Sequence, residues 1–167
     1  MHDRSLESPA HPHPSGIHLV AADHPSLAGN IEAFLDHVHG EHRFFGPTAR
    51  SNPKPFPSLM SALRARGGFR MAAIECGRIV GLARVDGNGE LFLVVDREHR
   101  GRGIGTDLGR AMAERAGQLN YARLVMRTTR RSHAARRVGE ELGAVVLYHG
   151  RGRTELVLDL LPGARIA

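Results

Sequence analysis

The chain has 167 residues, 41% hydrophobic and 24% charged, the balance of one soluble globular domain with enough apolar side chains for a core. No apolar run approaches the roughly 18 residues of a spanning helix, and the opening MHDRSLESPAHPHPSG lacks an apolar centre; both argue against a membrane span or signal peptide, so the expected location is cytoplasmic. The formal net charge of +6, almost all arginine because Lys54 is the sole lysine, favours anionic partners: nucleic acid, a membrane surface or a phosphorylated cofactor.

Residues 1–15, rich in Pro, His and Ser without apolar periodicity, are expected to form a disordered tail, and residues 16–162 a single domain. GIHLVAAD (16–23) reads as a first strand, and Leu27, Ile31, Phe34, Leu35 and Val38 recur at helical spacing between Pro25 and His39. Breakers from Pro47 to Pro57 predict a loop, and PSLMSALRARGG (57–68) a second short helix. FRMAAIEC and RIVGLARVD read as strands joined at Gly77 in a hairpin, and GNG (87–89) turns the chain into ELFLVV, third strand of the same meander. Cys76, the only cysteine, is expected to be a core or half-buried thiol. Ile104 to Leu119 predicts a helix, ARLVMRT a strand, Ser132 to Leu142 a helix, and AVVLYH and TELVLDL two final strands. The expected fold is mixed α/β: an antiparallel meander, a β-α-β passage and a closing hairpin.

The stretch VDREHRGRGIGTD (95–107) puts glycine and arginine in alternation between a buried strand and a helix. Free backbone N–H groups and the positive helix end would meet there, glycines would let a pyrophosphate approach, and Arg100 and Arg102 would add charge. A tight turn is the competing reading. A P-loop is excluded because no Gly-Lys-Ser/Thr follows, and a dinucleotide fingerprint would follow the first strand of a parallel sheet.

VDREHRGRGIG resembles the acetyl-CoA pyrophosphate loop of the GNAT acetyltransferase superfamily, Gln/Arg-x-x-Gly-x-Gly/Ala, through Arg100, Gly103 and Gly105, and the element order over about residues 17–160 is similar too. The resemblance implies a GNAT acyl-CoA N-acyltransferase fold, acetyl-CoA as co-substrate and transfer of its acetyl group to a primary amine. It implies cofactor contacts from Arg100, Gly101, Arg102, Gly103, Ile104, Gly105 and Thr106, with Leu93, Val94 and Val95 lining the pantetheine arm where the strand splays from its neighbour. An ammonium has no lone pair, so a base must take its proton. The candidate is Glu90, at the start of an apolar strand where partial burial would raise its pKa; a surface glutamate beside a turn is the alternative. GELFLVVDREHRGRGIGT is most similar to bacterial protein lysine acetyltransferases of the Pat type, in which a glutamate at this spacing is thought to be the base. HRFFGP (42–47) also resembles a segment found there, and reads equally as a helix end pinned by two aromatic residues.

One departure stands out. Counting back from Gly143, the family's Asn position is Ser132, its Ala position Ala135, its Tyr general acid Gly139 and its Phe Ala144. The thiolate then leaves without a protein acid, as Pat-type enzymes also tend to do, or with help from Tyr148, His133 or water. In the basic cluster 127–137, Arg130, Arg131, Arg136 and Arg137 fit either a solvated face or contacts to the 3′-phosphate end of CoA, for which Ser132 and Arg136 are the candidates. The missing interleaved aromatics argue against nucleic acid. No metal is expected, since His37 and His39 would point about 200° apart on a helix. The reading is an acetyl-CoA-dependent N-acetyltransferase with a protein lysine or a small-molecule amine as acceptor. The alternative is a non-catalytic acetyl-CoA-binding or nucleic-acid-associated module.

Overall fold

Apolar residues on alternate positions drive the first half of the chain into an antiparallel meander, and a longer helical period builds the second. The structure, a computed structural model, describes residues 16–45, 55–129, 132–148 and 152–161. The expected tail, Arg130 and Arg131 lie outside these residues. Strand β1 (Ile17–Ala21) leads through a 3-10 turn (Pro25–Leu27) into α1 (Ala28–Phe45), then α2 (Pro55–Arg64). Strands β2 (Phe69–Glu75), β3 (Arg78–Val85) and β4 (Leu91–Val95) follow, and the first sheet has the order β1-β2-β3-β4. Helix α1 is longer than expected and its backbone runs to the end of the Arg-Phe-Phe segment; α2 begins two residues earlier and ends four earlier than predicted.

One expectation is corrected. Cys76 is exposed, because it and Gly77 form the turn between β2 and β3, with φ of 48° and 76°. Two successive left-handed residues are what a two-residue hairpin of this twist requires, and the turn projects the thiol outward. The apolar run that precedes it suggested burial, but the run ends at the sheet edge.

The second half comprises α3 (Ile104–Gln118), β5 (Arg123–Thr129), α4 (His133–Leu142), β6 (Val145–Tyr148) and β7 (Arg153–Asp159). The last two strands pair as the expected hairpin, with β7 inserted between the others in the order β5-β7-β6. Helix α3 presents Ile104, Leu108 and Met112, each 1% exposed or less, as one stripe to the sheets. It ends in a Schellman turn in which Tyr121 N–H donates to Ala116 and Asn120 N–H to Gly117, Asn120 supplying the left-handed residue at φ 62°.

Two cores flank the first sheet. On one face Leu91, Leu108, Met112 and Leu124 gather around α3; on the other Phe34, Leu35, Met60, Leu82 and Val94 gather under α1 and α2. Each fully buried aliphatic side chain contributes about 1.5–3 kcal/mol. Arg84 is also buried, 5% exposed, and donates to the carbonyls of Ala62, Arg66 and Gly67, which ties the end of α2 to β3. A cation at a helix C-terminus meets the negative end of its dipole.

The two sheets are joined by a single parallel bridge, Glu90 to Val125, with Val125 N–H donating to Gly89 C=O at 2.9 Å. Gly89 has φ 82°, and a Cβ there would sit 2.8 Å from the Arg123 carbonyl oxygen. Gly89→Ala therefore combines left-handed strain with a backbone clash at the junction, and should lower stability by about 2 kcal/mol or more in chemical denaturation. Gly87→Ala, where a Cβ meets nothing within 4 Å, should change it little.

Candidate active site

The chain leaves β4 through Asp96, makes one 3-10 turn (Arg97–His99) and passes Gly101 (φ 74°) and Gly103 (φ 81°) before α3 begins. Both left-handed positions suit glycine, and together they curl the backbone into a concave nest. The first helical bond runs from Asp107 N–H to Gly103 C=O at 3.0 Å. The N–H groups of Ile104, Gly105 and Thr106 precede that bond, and Gly103 has no side chain to cap them. The positive end of the helix dipole therefore opens into the nest, a setting for an anion.

Side chains around this loop hold its shape. Asp96 caps the 3-10 turn by accepting from Glu98 N–H at 3.0 Å, and its second oxygen lies 2.9 Å from His99 Nδ1. His99 Nε2 reaches Glu75 at 2.9 Å, and Arg102 donates twice to the same carboxylate, at 2.6 and 3.3 Å. The Arg102 bonds hold the Glu75 carboxyl below the usual glutamate range. Arg100 folds back so that its Nε donates to Val95 C=O at 3.0 Å. The arginines that stood out in the sequence thus brace the loop. Gly105 is a packing position: a Cβ there would meet Val138 at 3.3 Å and Leu93 at 3.5 Å. The Thr106 hydroxyl is turned away, donating to Glu141 of α4 at 2.5 Å.

Among the described residues no pairing links β4 to β5 beyond the Glu90–Val125 bridge, so the facing edges share no ladder, in keeping with the V-shaped splay that the GNAT resemblance implies. At about 3.3 Å per residue, Glu90 and Val95 lie about 17 Å apart along β4. Leu93 and Val95 pack toward α3, while Val94, 6% exposed, packs under α1 and α2 and offers the opening only its backbone.

Glu90 shares the face of Phe92 and Val94, on the α1 and α2 side of the sheet. Its carboxylate is half-buried and pairs with Arg127 NH1, while Arg127 Nε donates to Glu155 at 3.0 Å. Asp86 receives the Glu90 N–H at 2.9 Å. Burial pushes the Glu90 carboxyl above the usual glutamate range; Arg127 opposes this, and Asp86 and Glu155 reinforce it. A raised pKa makes this carboxylate a stronger proton acceptor than a fully solvated glutamate.

On α4, Ser132 occupies the N-cap position without a side-chain cap bond, and Arg136 approaches Glu140 at 3.5 Å with its Nε buried and unbonded. Gly139 is buried, and a Cβ there would come 2.8 Å from Leu156 Cδ1. His133 opens α4 and Tyr148 ends β6, both exposed. A cavity of about 420 Å³ lies apart from the loop and Glu90, between α3, α4 and the end of β7, bordered by Arg110, Glu114, Leu142 and Leu158.

Sequence reasoning missed Arg127, Glu155, Glu75, His99 and Asp96. The alternation Arg123, Val125, Arg127 against Leu124 and Met126 could have placed Arg127 on the Glu90 face of β5. Nothing local reveals that Glu155 is its cross-strand partner.

Residues 31–144 match the model of the acetyltransferase (GNAT) family. Among solved structures, the chain resembles the GNAT domain of S. lividans PAT, with a TM-score of 0.66, 18% identity, and coverage of 86% of this chain and 90% of that one. It resembles yncA from Salmonella typhimurium, solved with its cofactor acetyl-CoA, at TM-score 0.66 and 20% identity, covering 92% and 99%. The Escherichia coli ribosomal-protein-S18-alanine N-acetyltransferase gives TM-score 0.59 and 14% identity, covering 90% and 99%. No curated protein matches the chain in sequence.

Since Glu75 receives both His99 and Arg102, Glu75→Ala should loosen the loop selectively. In hydrogen exchange, amides from Glu98 to Gly105 should exchange faster, while those of β5 and β7 keep their protection. Unchanged exchange in the loop would mean that the glycine backbone holds itself.

Proposed function

This chain belongs to the GNAT acetyltransferase family, and from that premise we propose that it acetylates a primary amine, using the 101–106 nest to hold the pyrophosphate and Glu90 as the base. As a member of that family it is an acetyl-CoA-dependent N-acetyltransferase. What supports the reading is the single bridge: the half-buried Glu90 carboxylate stands at the bridged end of β4, and the uncapped start of α3 follows the other end of the same strand.

Acetyl-CoA supplies an acetyl thioester, and the described residues fit it. The N–H groups of Ile104, Gly105 and Thr106 would hold the pyrophosphate, with Gly101 and Gly103 keeping the approach free of side chains. The walls formed by Leu93, Val94 and Val95 would take the pantetheine arm, and Ser132 and Arg136 the far phosphate end. The acceptor would arrive from the α1 and α2 face, where Glu90 takes its proton as the amine attacks. A protein lysine and a small-molecule amine both suit that face, and thiol release with peptides against free amines separates them. A module that binds acetyl-CoA without turnover would release no thiol with either.

Acetyl-CoA at a hundred times its dissociation constant should stabilise the fold by about 2.7 kcal/mol. Gly103→Val should abolish most of that increment, read as the ligand-induced rise in melting temperature, since the unliganded variant is itself strained at φ 81°. A full increment in the variant would move the pyrophosphate elsewhere.

Glu90→Gln keeps the shape but cannot accept a proton. Its rate near neutral pH should fall by about a hundredfold or more, with acetyl-CoA affinity unchanged and partial recovery at high pH, where free amine is abundant. In the wild type the rate should rise with pH through a midpoint above the usual glutamate range, because activity needs the carboxylate and burial favours the acid. Retention of more than half the wild-type rate would assign the base to water.

A further inference from the structure

We propose that Arg127 and Glu155 are positioning residues for Glu90: strands β5 and β7 supply a charged brace that fixes its carboxylate at the closed end of the V. The proposal rests on the reading of Glu90 as the base, and its test is chosen to fail separately. Arg127 and Glu155 are direct partners in the β5–β7 register, and Glu90 bridges Val125, two residues before Arg127. One guanidinium therefore links the start of β4 to β5 and β7, with NH1 on Glu90 and Nε, at 3.0 Å, on Glu155. Glu155 anchors one edge of the planar fork and leaves another for Glu90, so the carboxylate is held by a group that cannot swing freely.

Stability alone does not account for the arrangement. The Arg127 side chain is 57% exposed and those of Glu90 and Glu155 23% and 27%, and pairs this open to water add little to folding. They still order a side chain, and here the ordered side chain borders the opening between the sheets. Among the described residues, the charged groups acting on Glu90 are Asp86 from the preceding turn, Arg127 from β5 and Glu155 from β7. Arg127 favours the charged carboxylate; Asp86 and Glu155 disfavour it. The two brace residues consequently pull the titration of Glu90 in opposite directions.

The experiment is a carbon-13 NMR titration of the full chain labelled at glutamate side-chain carboxyls, with the Glu90 signal assigned by its loss in Glu90→Gln. Arg127→Met should move the Glu90 midpoint to higher pH, Glu155→Gln should move it to lower pH, and Arg127→Lys should restore most of the wild-type value. With any amine that supports turnover, the acidic limb of kcat/KM should follow the same order while the affinity for acetyl-CoA stays constant. A midpoint unmoved in Arg127→Met, or moved the same way by both neutralising variants, overturns the proposal even if Glu90→Gln has lost its activity. Conversely, an active Glu90→Gln variant removes the base but leaves the titrations as stated, so the two failures are distinguishable.

Discussion

Everything at the candidate site follows from one parallel bridge between Glu90 and Val125. Sheets ordinarily extend by adding paired strands, yet here β4 and β5 run in the same direction and share a single junction. Its one hydrogen bond is worth about 1 kcal/mol, too little to hold two sheets together. That task falls to α3, whose stripe of Ile104, Leu108 and Met112 packs in one core with Leu91 of β4 and Leu124 of β5. The helix holds the strands from one side, and the bridge joins them at one end only. Unpaired strand edges carry free N–H and C=O groups, and buried backbone groups demand partners. A slender ligand with amide groups of its own is the natural occupant of such a slit.

The attraction for an anion resides in the backbone more than in the arginines. Arg102 is neutralised by Glu75, and Arg100 is turned onto the Val95 carbonyl. The residues that make the segment look cationic are bonded to the protein itself, Arg100 to β4 and Arg102 to the end of β2. The chain's formal charge of +6 is therefore a poor guide to the proposed phosphate site, whereas the uncapped helix start is a specific one.

What was legible in the sequence was local. The strands, the helices, the hairpin at Gly77 and the glycine loop follow from periodicity and turn chemistry acting over a few residues. Glu90 was singled out because it heads the apolar run LFLVV, with a surface position beside the turn as the alternative, and the structure half-buries it. Its partner Arg127 lies 37 residues away, and Arg102 and His99 meet Glu75 across 27 and 24 residues. Those pairings depend on register, which composition does not encode. Arg84 was hidden for the opposite reason: an arginine in a strand reads as surface, and the carbonyls of Ala62 in α2 and of Arg66 and Gly67 just beyond it explain its burial. Cys76 misled because it follows the apolar run MAAI so closely, yet that run stops at Ile74 and the turn begins at Cys76.

The position of Gly139 shows how the site can lack a family tyrosine without losing its logic. A Cβ at 139 would press on Leu156 Cδ1 at 2.8 Å, so the β7 core occupies the room beside the helix that a larger residue would need. Any side chain placed at 139 would require Leu156 to shift. The loss falls on the less demanding proton transfer. An alkyl ammonium with a pKa near 10.4 is free amine to only about one part in a thousand at neutral pH, whereas a thiol near 8.5 leaves readily as thiolate. Deprotonating the acceptor is the harder requirement, and it is the one that the proposed function assigns to the half-buried Glu90 carboxylate, paired with Arg127 and through it with Glu155.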